Sequence, residues 1–352
     1  MKRNGYIDVI KFIFALIVMD FHMETGVFLG GRLVVEGFFM ISGFLMMKTI
    51  EREGELTQNL GVATVKFIFK KYKALFYFLL PSAVIAFVIV SITYNYDSSD
   101  IVRRTGLLFF EIFPMNALGF EGSYPIGISW YLSAMFVSML ILYPICKRLD
   151  KIATHIICPI IVLFGYGSLS LFFQSLEVNY QLLPNTFIKT SIIRGLAGCA
   201  LGCILYEVNK LLSNKTPTKG ARALFTVLEV LSFGYFLYGM HYRHTSPHDY
   251  LVTFVIFVFL TIGISGISYT YYLWNPKWTR LLGTASILVV LTHCSWARFF
   301  AEKLGKGYVK TGKIWWCYLS IAGTCVVVYI LSVLLKKLFK RLGTIRLWEN
   351  KS

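Results

Sequence analysis

The sequence predicts an all-α, polytopic membrane protein of about ten transmembrane helices, forming one domain over residues 1–352. Three observations carry that expectation. Hydrophobic residues make up 56% of the chain and charged ones 15%, against roughly 25% charged in an ordinary soluble domain. Apolar stretches long enough to cross a bilayer recur from end to end, where a soluble chain would show shorter amphipathic runs. The 35 Lys and Arg residues also alternate between loops. With helix-end cations counted in the loop they border and the amino terminus placed inside, 23 fall on inner segments and 9 on outer ones. That is the positive-inside pattern, with both termini cytoplasmic. The net charge of +17 is thus accounted for by orientation, and no nucleic-acid partner is expected.

The first helix is expected over 7–24. Lys2 and Arg3 before an apolar run look like a signal peptide, but Asp20, His22 and Glu24 follow where a small-residue cleavage site would stand, so the segment reads as a permanent helix. The second, over 33–48, carries Gly37 and Gly43, which let neighbouring backbones approach closely. Further apolar runs place helices over 74–93, 129–146, 155–175, 191–206, 221–240, 250–273, 283–300 and 314–338. Trp274, Trp278, Trp315 and Trp316 fall near helix ends, where amphipathic rings favour the interface. The longest stretch outside the helices, 94–128, reads as a solvated outer connection or a cap over a site; the loop with Lys303, Lys306, Lys310 and Lys313 runs against the charge pattern.

Seven cysteines, mostly in apolar segments and without ligand spacing, read as buried free thiols. His241, His244 and His248 share a short loop but lack the further ligands of a metal site, and no metal is expected. No phosphate-binding loop, dinucleotide fingerprint or nucleophile elbow is present.

Ionisable groups inside helices are costly and mark function once a structural partner has been considered. Lys11 and His22 are eleven residues apart, which returns to within roughly 20° of the same helical face but separates them by about 16 Å. They mark two depths of one stripe. The structural alternative for Lys11 is neutralisation by Asp8, and for Glu36 an ion pair with Arg32 one turn away. Trp130 and Tyr131 open the fourth helix, and Arg194 lies early in the sixth, so all three share the outer depth of Glu36 and His22. His293 falls nearer mid-membrane, where a lone histidine is commonly a helix contact. Cys294 beside it is expected to point about 100° away.

Together these residues resemble the acyltransferase type 3 family, membrane O-acyltransferases acting on sugars and other hydroxyl compounds, over nearly the whole chain. Ile7-Asp8-Val9-Ile10-Lys11 leading to His22 is similar to its first-helix pattern, with Lys where the family more often has Arg. Glu36, Phe38, Phe39, Ser42, Gly43 and Phe44 match the second-helix acid, Phe-Phe and Ser-Gly-Phe. Ser129 to Ser133 resembles its Trp-aromatic-Leu motif, and Arg194 to Gly198 its Arg-led, Gly-rich helix. Ser286 through His293 resembles a late helix, with Val290 or Leu291 in place of the usual Tyr.

The resemblance implies a cytoplasmic acetyl-CoA or other acyl-CoA donor and a hydroxyl acceptor on a surface or lipid-linked glycan, at a bacterial cell membrane whose lipid surrounds the chain. On that basis His22 is the expected general base or transient acyl carrier. Glu36 is expected to orient it or hold acceptor hydroxyls, and Arg194 to stabilise the thioester oxygen. Lys11, with Trp130, Tyr131 and His293, forms the expected donor-binding set, and Lys66, Lys70, Lys71 and Lys73 a cytoplasmic landing patch. A transporter would use the same buried charges and stands as the alternative.

Overall fold

Each of the ten expected segments holds helix in the computed structural model, which describes residues 3–56, 58–120, 125–176, 178–242, 248–274, 276–341 and 343. The helices are α1 (Gly5–His22), α2 (Val34–Glu53), α3 (Leu60–Thr93), the short α4 (Ser98–Leu107) and α5 (Phe109–Ile112), α6 (Ser129–Ile152), α7 (Cys158–Phe173), α8 (Thr190–Ser213), α9 (Lys219–His241), α10 (His248–Ser265), α11 (Pro276–Leu304) and α12 (Ile314–Arg341). No strand occurs among the described residues. Eight helical stretches are long and apolar enough to cross a membrane. One of these is the run from Ser129 to Phe173, and α1, with Asp8, Lys11 and Asp20 in eighteen residues, is not among them.

Local chemistry sets several boundaries. The Asn4 side chain accepts from Tyr6 N at 3.0 Å and starts α1, and Asn59 does the same for α3 through Gly61 N at 2.8 Å. Gly54, at φ 64°, ends α2. Two bounds differ from the sequence reading. The third helix begins at Leu60 rather than near 74, because its lysine-bearing start is helical as well. The eighth stops at Ser265, where Gly266 takes φ 75° and the chain passes into a 3₁₀ turn over Thr270–Leu273.

Packing registers give the helix directions. Phe14 of α1 meets Gly37 of α2, and Ile17 meets Gly31, so α1 and α2 are antiparallel. The run from Ser129 to Phe173 reverses at Asp150, which has φ 43° and ψ −114°. Ala134 of α6 lies against Gly195 of α8, and Cys146 against Cys203; on α7 it is Cys158 that neighbours Cys203, while Gly165 meets Ala197. Thus α6 runs with α8 and α7 against it. Helix α2 runs with α8, and α1 runs with α11, Gly5 meeting Thr279 and Asp8 meeting Gly283. The end of the bundle where α1 begins is called the basic end below.

The stretch 94–128 is more than a solvated loop. The Tyr72 hydroxyl donates to Ile112 O at 3.1 Å, the Tyr72 and Phe113 rings stack at 5.5 Å, and Lys189 Nζ donates to Asn116 O at 3.2 Å. Buried Glu111 accepts from Ser129 Oγ at 3.2 Å, which ties this segment to the start of α6.

The closest backbone approach joins α2 to α8. A Cβ on Gly43 would collide with the Cys199 carbonyl, and one on Gly202 with the Met40 carbonyl, so neither helix tolerates a side chain there. In α7, a Cβ on Gly167 would meet nothing within 4 Å. Gly202→Ala is therefore expected to cost about 1–3 kcal/mol through overpacking, whereas Gly167→Ala is expected to be neutral or to stabilise by up to about 1 kcal/mol. Thermal unfolding in detergent checks the opposite signs.

Candidate active site

His22 is the last residue of α1, and its side chain is exposed at the end of the bundle opposite the basic one. Because α1 and α11 run side by side in the same direction, the register that starts at Gly5 and Thr279 delivers His293 to His22 about four to five turns later. Their ring centroids are 5.2 Å apart at 42°. His293 is fully buried. Its Nδ1 lies 2.9 Å from Val289 O, and a carbonyl can only accept, so Nδ1 carries the proton and Nε2 of the neutral ring is the acceptor. The Cys294 thiol donates to that Nε2 at 3.2 Å. This corrects the expectation that neighbouring helical residues point apart, since anchoring on Val289 swings the far side of the imidazole over the next residue.

His22 opens into a cavity of about 110 Å³ shared with Glu24, Arg298 and Tyr308. The Tyr308 hydroxyl donates to Met23 O at 3.2 Å, which folds the lysine-bearing connection between α11 and α12 down beside the end of α1. A larger groove of about 520 Å³ runs between α1, α11 and α12, lined by Leu16, Met19, Leu288 and Val326 among others. It is lined mainly by apolar side chains, so it suits hydrocarbon, whereas the smaller cavity beyond its Met19 end brings ionisable groups together.

A second group lies within the bundle. Glu36 and Arg194 are both inaccessible to solvent and form an ion pair through Arg194 Nε. The Tyr166 hydroxyl donates to the other Glu36 oxygen at 2.5 Å. Arg194 NH1 donates to Asn179 Oδ1 at 2.6 Å and NH2 to Arg32 O at 3.2 Å, while the guanidinium carbon lies 5.5 Å from the Trp130 ring centroid. All three guanidinium nitrogens are thus engaged, and the arrangement acts as a clamp between α2, α7 and α8. Neither the expected contact from Glu36 to His22 nor an open Arg194 aimed at a thioester oxygen is found among the described residues. Tyr131 packs on Phe39 at 4.8 Å, with its hydroxyl 3.5 Å from Ser42 Oγ.

Toward the basic end, Asp8 is held by Arg3 in two hydrogen bonds, of 2.5 and 2.8 Å, rather than by Lys11. Lys11 makes no hydrogen bond or ion pair among the described residues, and Lys71 of α3 stands within electrostatic reach of it. Arg32 pairs with Asp249 of α10 at 3.0 Å rather than with Glu36. His22, His293 and Cys294 also bring three donor atoms within 4.8 Å of one another, a set of metal-binding type that the sequence reading did not contain. His241 is bonded to Val27 O at 2.7 Å, and His244 lies outside the described residues.

Sequence reasoning missed Tyr166, Asn179, Asp249 and Cys294 as partners. The available signals were polar groups with no local partner: a tyrosine inside an apolar helix and an acid at the start of another.

A family model described as an acyltransferase domain matches residues 4–333, nearly the whole chain. The chain belongs to the acyltransferase type 3 family. Membership makes it a membrane acyltransferase at the level of the family, and the helix carrying His22 and the one carrying His293 both fall inside the matched region. No curated protein and no solved structure matches it.

The clamp of this acyltransferase carries a direct prediction. Arg194→Met leaves Glu36 buried without its cation and is expected to cost about 3–5 kcal/mol. Adding Glu36→Gln should restore part of that loss, and Tyr166→Phe should cost about 1.5–3 kcal/mol. Thermal melts of the single and double variants measure the coupling.

Proposed function

We propose that this protein transfers an acyl group, acetyl foremost, from cytoplasmic acyl-CoA to a hydroxyl of a cell-surface or lipid-linked glycan. The chain would cross a bacterial cell membrane ten times with both termini cytoplasmic, which agrees with the alternating helix directions and the loop charges. The observation that carries the reading is the His22–His293 pair, an exposed imidazole beside a buried, oriented one, with His22 lining a cavity that also holds Arg298.

His22 takes the proton of the acceptor hydroxyl as the oxygen attacks the thioester carbonyl. Arg298, in the same cavity, offsets charge developing on the carbonyl oxygen, the part first expected of Arg194. The CoA sulfur leaves with the bonding pair and is reprotonated, which closes the transfer. His293 holds the far side of the reacting centre, with its tautomer set by Val289. At the basic end Lys11 and Lys71 gather positive charge that Asp8, hydrogen-bonded to Arg3, offsets only through space, and this favours the phosphates of the donor. A separation of about 16 Å along α1 between Lys11 and His22 suits a donor whose charged end and reacting carbon are joined by a long arm. The apolar groove ending at Met19 accommodates the tail of a lipid-linked acceptor.

Purified protein supplied with radiolabelled acetyl-CoA and a glycan acceptor tests the reading. His22→Ala is expected to lower transfer by about 100-fold or more, and unchanged transfer would sink the proposed base. Lys11→Ala should raise the KM for acyl-CoA with little change in kcat, and Lys11→Arg should retain most activity. Glycan flux in proteoliposomes without acyl donor would instead favour transport.

A further inference from the structure

Three cysteines far apart in sequence converge near the basic end of the bundle. Cys146 lies on α6, Cys158 opens α7 and Cys203 lies on α8; all three are free and buried. Their sulfur atoms lie within 4.8 Å of one another, and Cys146 Sγ is 4.0 Å from Cys203 Sγ. On an uninterrupted helix Cys146 and Cys158 would be about 18 Å apart. The left-handed backbone at Asp150 and the π-helical turn Ala153–Ile157 fold α7 back so that Cys158 faces the other two. Such π turns recur at functional sites.

The spacing has a chemical meaning. Thiolates bonded at about 2.3 Å to one zinc ion sit about 3.8 Å apart in a tetrahedron and about 4.0 Å apart in a trigonal plane. Buried sulfur is also the ligand type that selects thiophilic ions over hard ones. Glu207, one turn beyond Cys203 on the same face of α8, is the nearest carboxylate in register, and its charge acts on Cys146.

We propose that Cys146, Cys158 and Cys203 hold a thiophilic metal ion of the zinc(II) class as three thiolates, with Glu207 or water completing the coordination. Binding forms three metal–sulfur bonds and releases three thiol protons to solvent, with no change of oxidation state. The ion staples the α6–α7 hairpin to α8. Tyr166 lies eight residues from Cys158 and Arg194 nine from Cys203, about 12 and 14 Å along those helices, so the staple spaces the helices that carry the Glu36 clamp. The proposal does not depend on the acyl-transfer reading.

The full chain, purified in detergent without chelator, is analysed for metal by mass spectrometry and titrated with cadmium(II). About one zinc per chain is expected, and about one equivalent of cadmium should produce a thiolate-to-metal absorption band in the ultraviolet. Cys146→Ser, Cys158→Ser and Cys203→Ser should each weaken binding about tenfold or more, while Cys325→Ser and His293→Ala should retain it. Stripping the metal should lower the Tm of the wild type by more than that of any of the three serine variants. Absence of both bound metal and a cadmium band in the wild type overturns the proposal, as does binding that is lost with His293 and kept without the three cysteines. Should a serine variant fail to fold, the wild-type stoichiometry and band decide alone.

Discussion

A carboxylate buried among apolar helices must meet a cation or lose its charge, and the meeting of Glu36 with Arg194 is the constraint around which this bundle is arranged. Forming that pair requires α2 and α8 to lie side by side, and glycines at Gly43 and Gly202 remove the side chains that would hold them apart. Once the pair is made, one carboxylate oxygen and two guanidinium nitrogens still need partners. Tyr166, Asn179 and the Arg32 carbonyl supply them, which draws α7 and the connections at the far end into the same network. Trp130 stands by the guanidinium, so α6 is fixed as well.

The other intramembrane charges follow a similar logic across distance. Arg32 crosses to Asp249, and Asp8 turns back to Arg3. Asp8 therefore reaches Lys11 only through space, its hydrogen bonds being made to Arg3. The eighteen-residue α1 thus carries a lysine without a hydrogen-bonded acid at one depth and an exposed imidazole at another.

Much of the fold is legible in the sequence, because the length of an apolar run is a local property and the bilayer sets its scale. The second-helix motif, the shared face of Lys11 and His22, and the shared depth of Glu36, Trp130 and Arg194 are legible for the same reason. Partnership is not. Local spacing favours Asp8 with Lys11 and Glu36 with Arg32, yet the actual partners of Glu36 and Arg32 come from other helices, chosen by packing registers that one helix cannot reveal. His293 reads as a lone helix contact until α11 is laid along α1. Cys294 is misjudged because a side-chain rotation, set by the Val289 carbonyl, outweighs the helical angle between neighbours. The cysteines at Cys146, Cys158 and Cys203 look unrelated because the fold-back at Asp150 has no strong signature in residue type.

The parallel pairing of α1 with α11 has a consequence for biogenesis. Helices joined by a short turn are antiparallel, so two that run the same way cannot be zipped together as the chain emerges; α1 must wait for α11 while the intervening helices are made. Half of the histidine pair is therefore made first and the other half nearly last. A nascent or truncated chain that stops before α11 therefore holds His22 without His293.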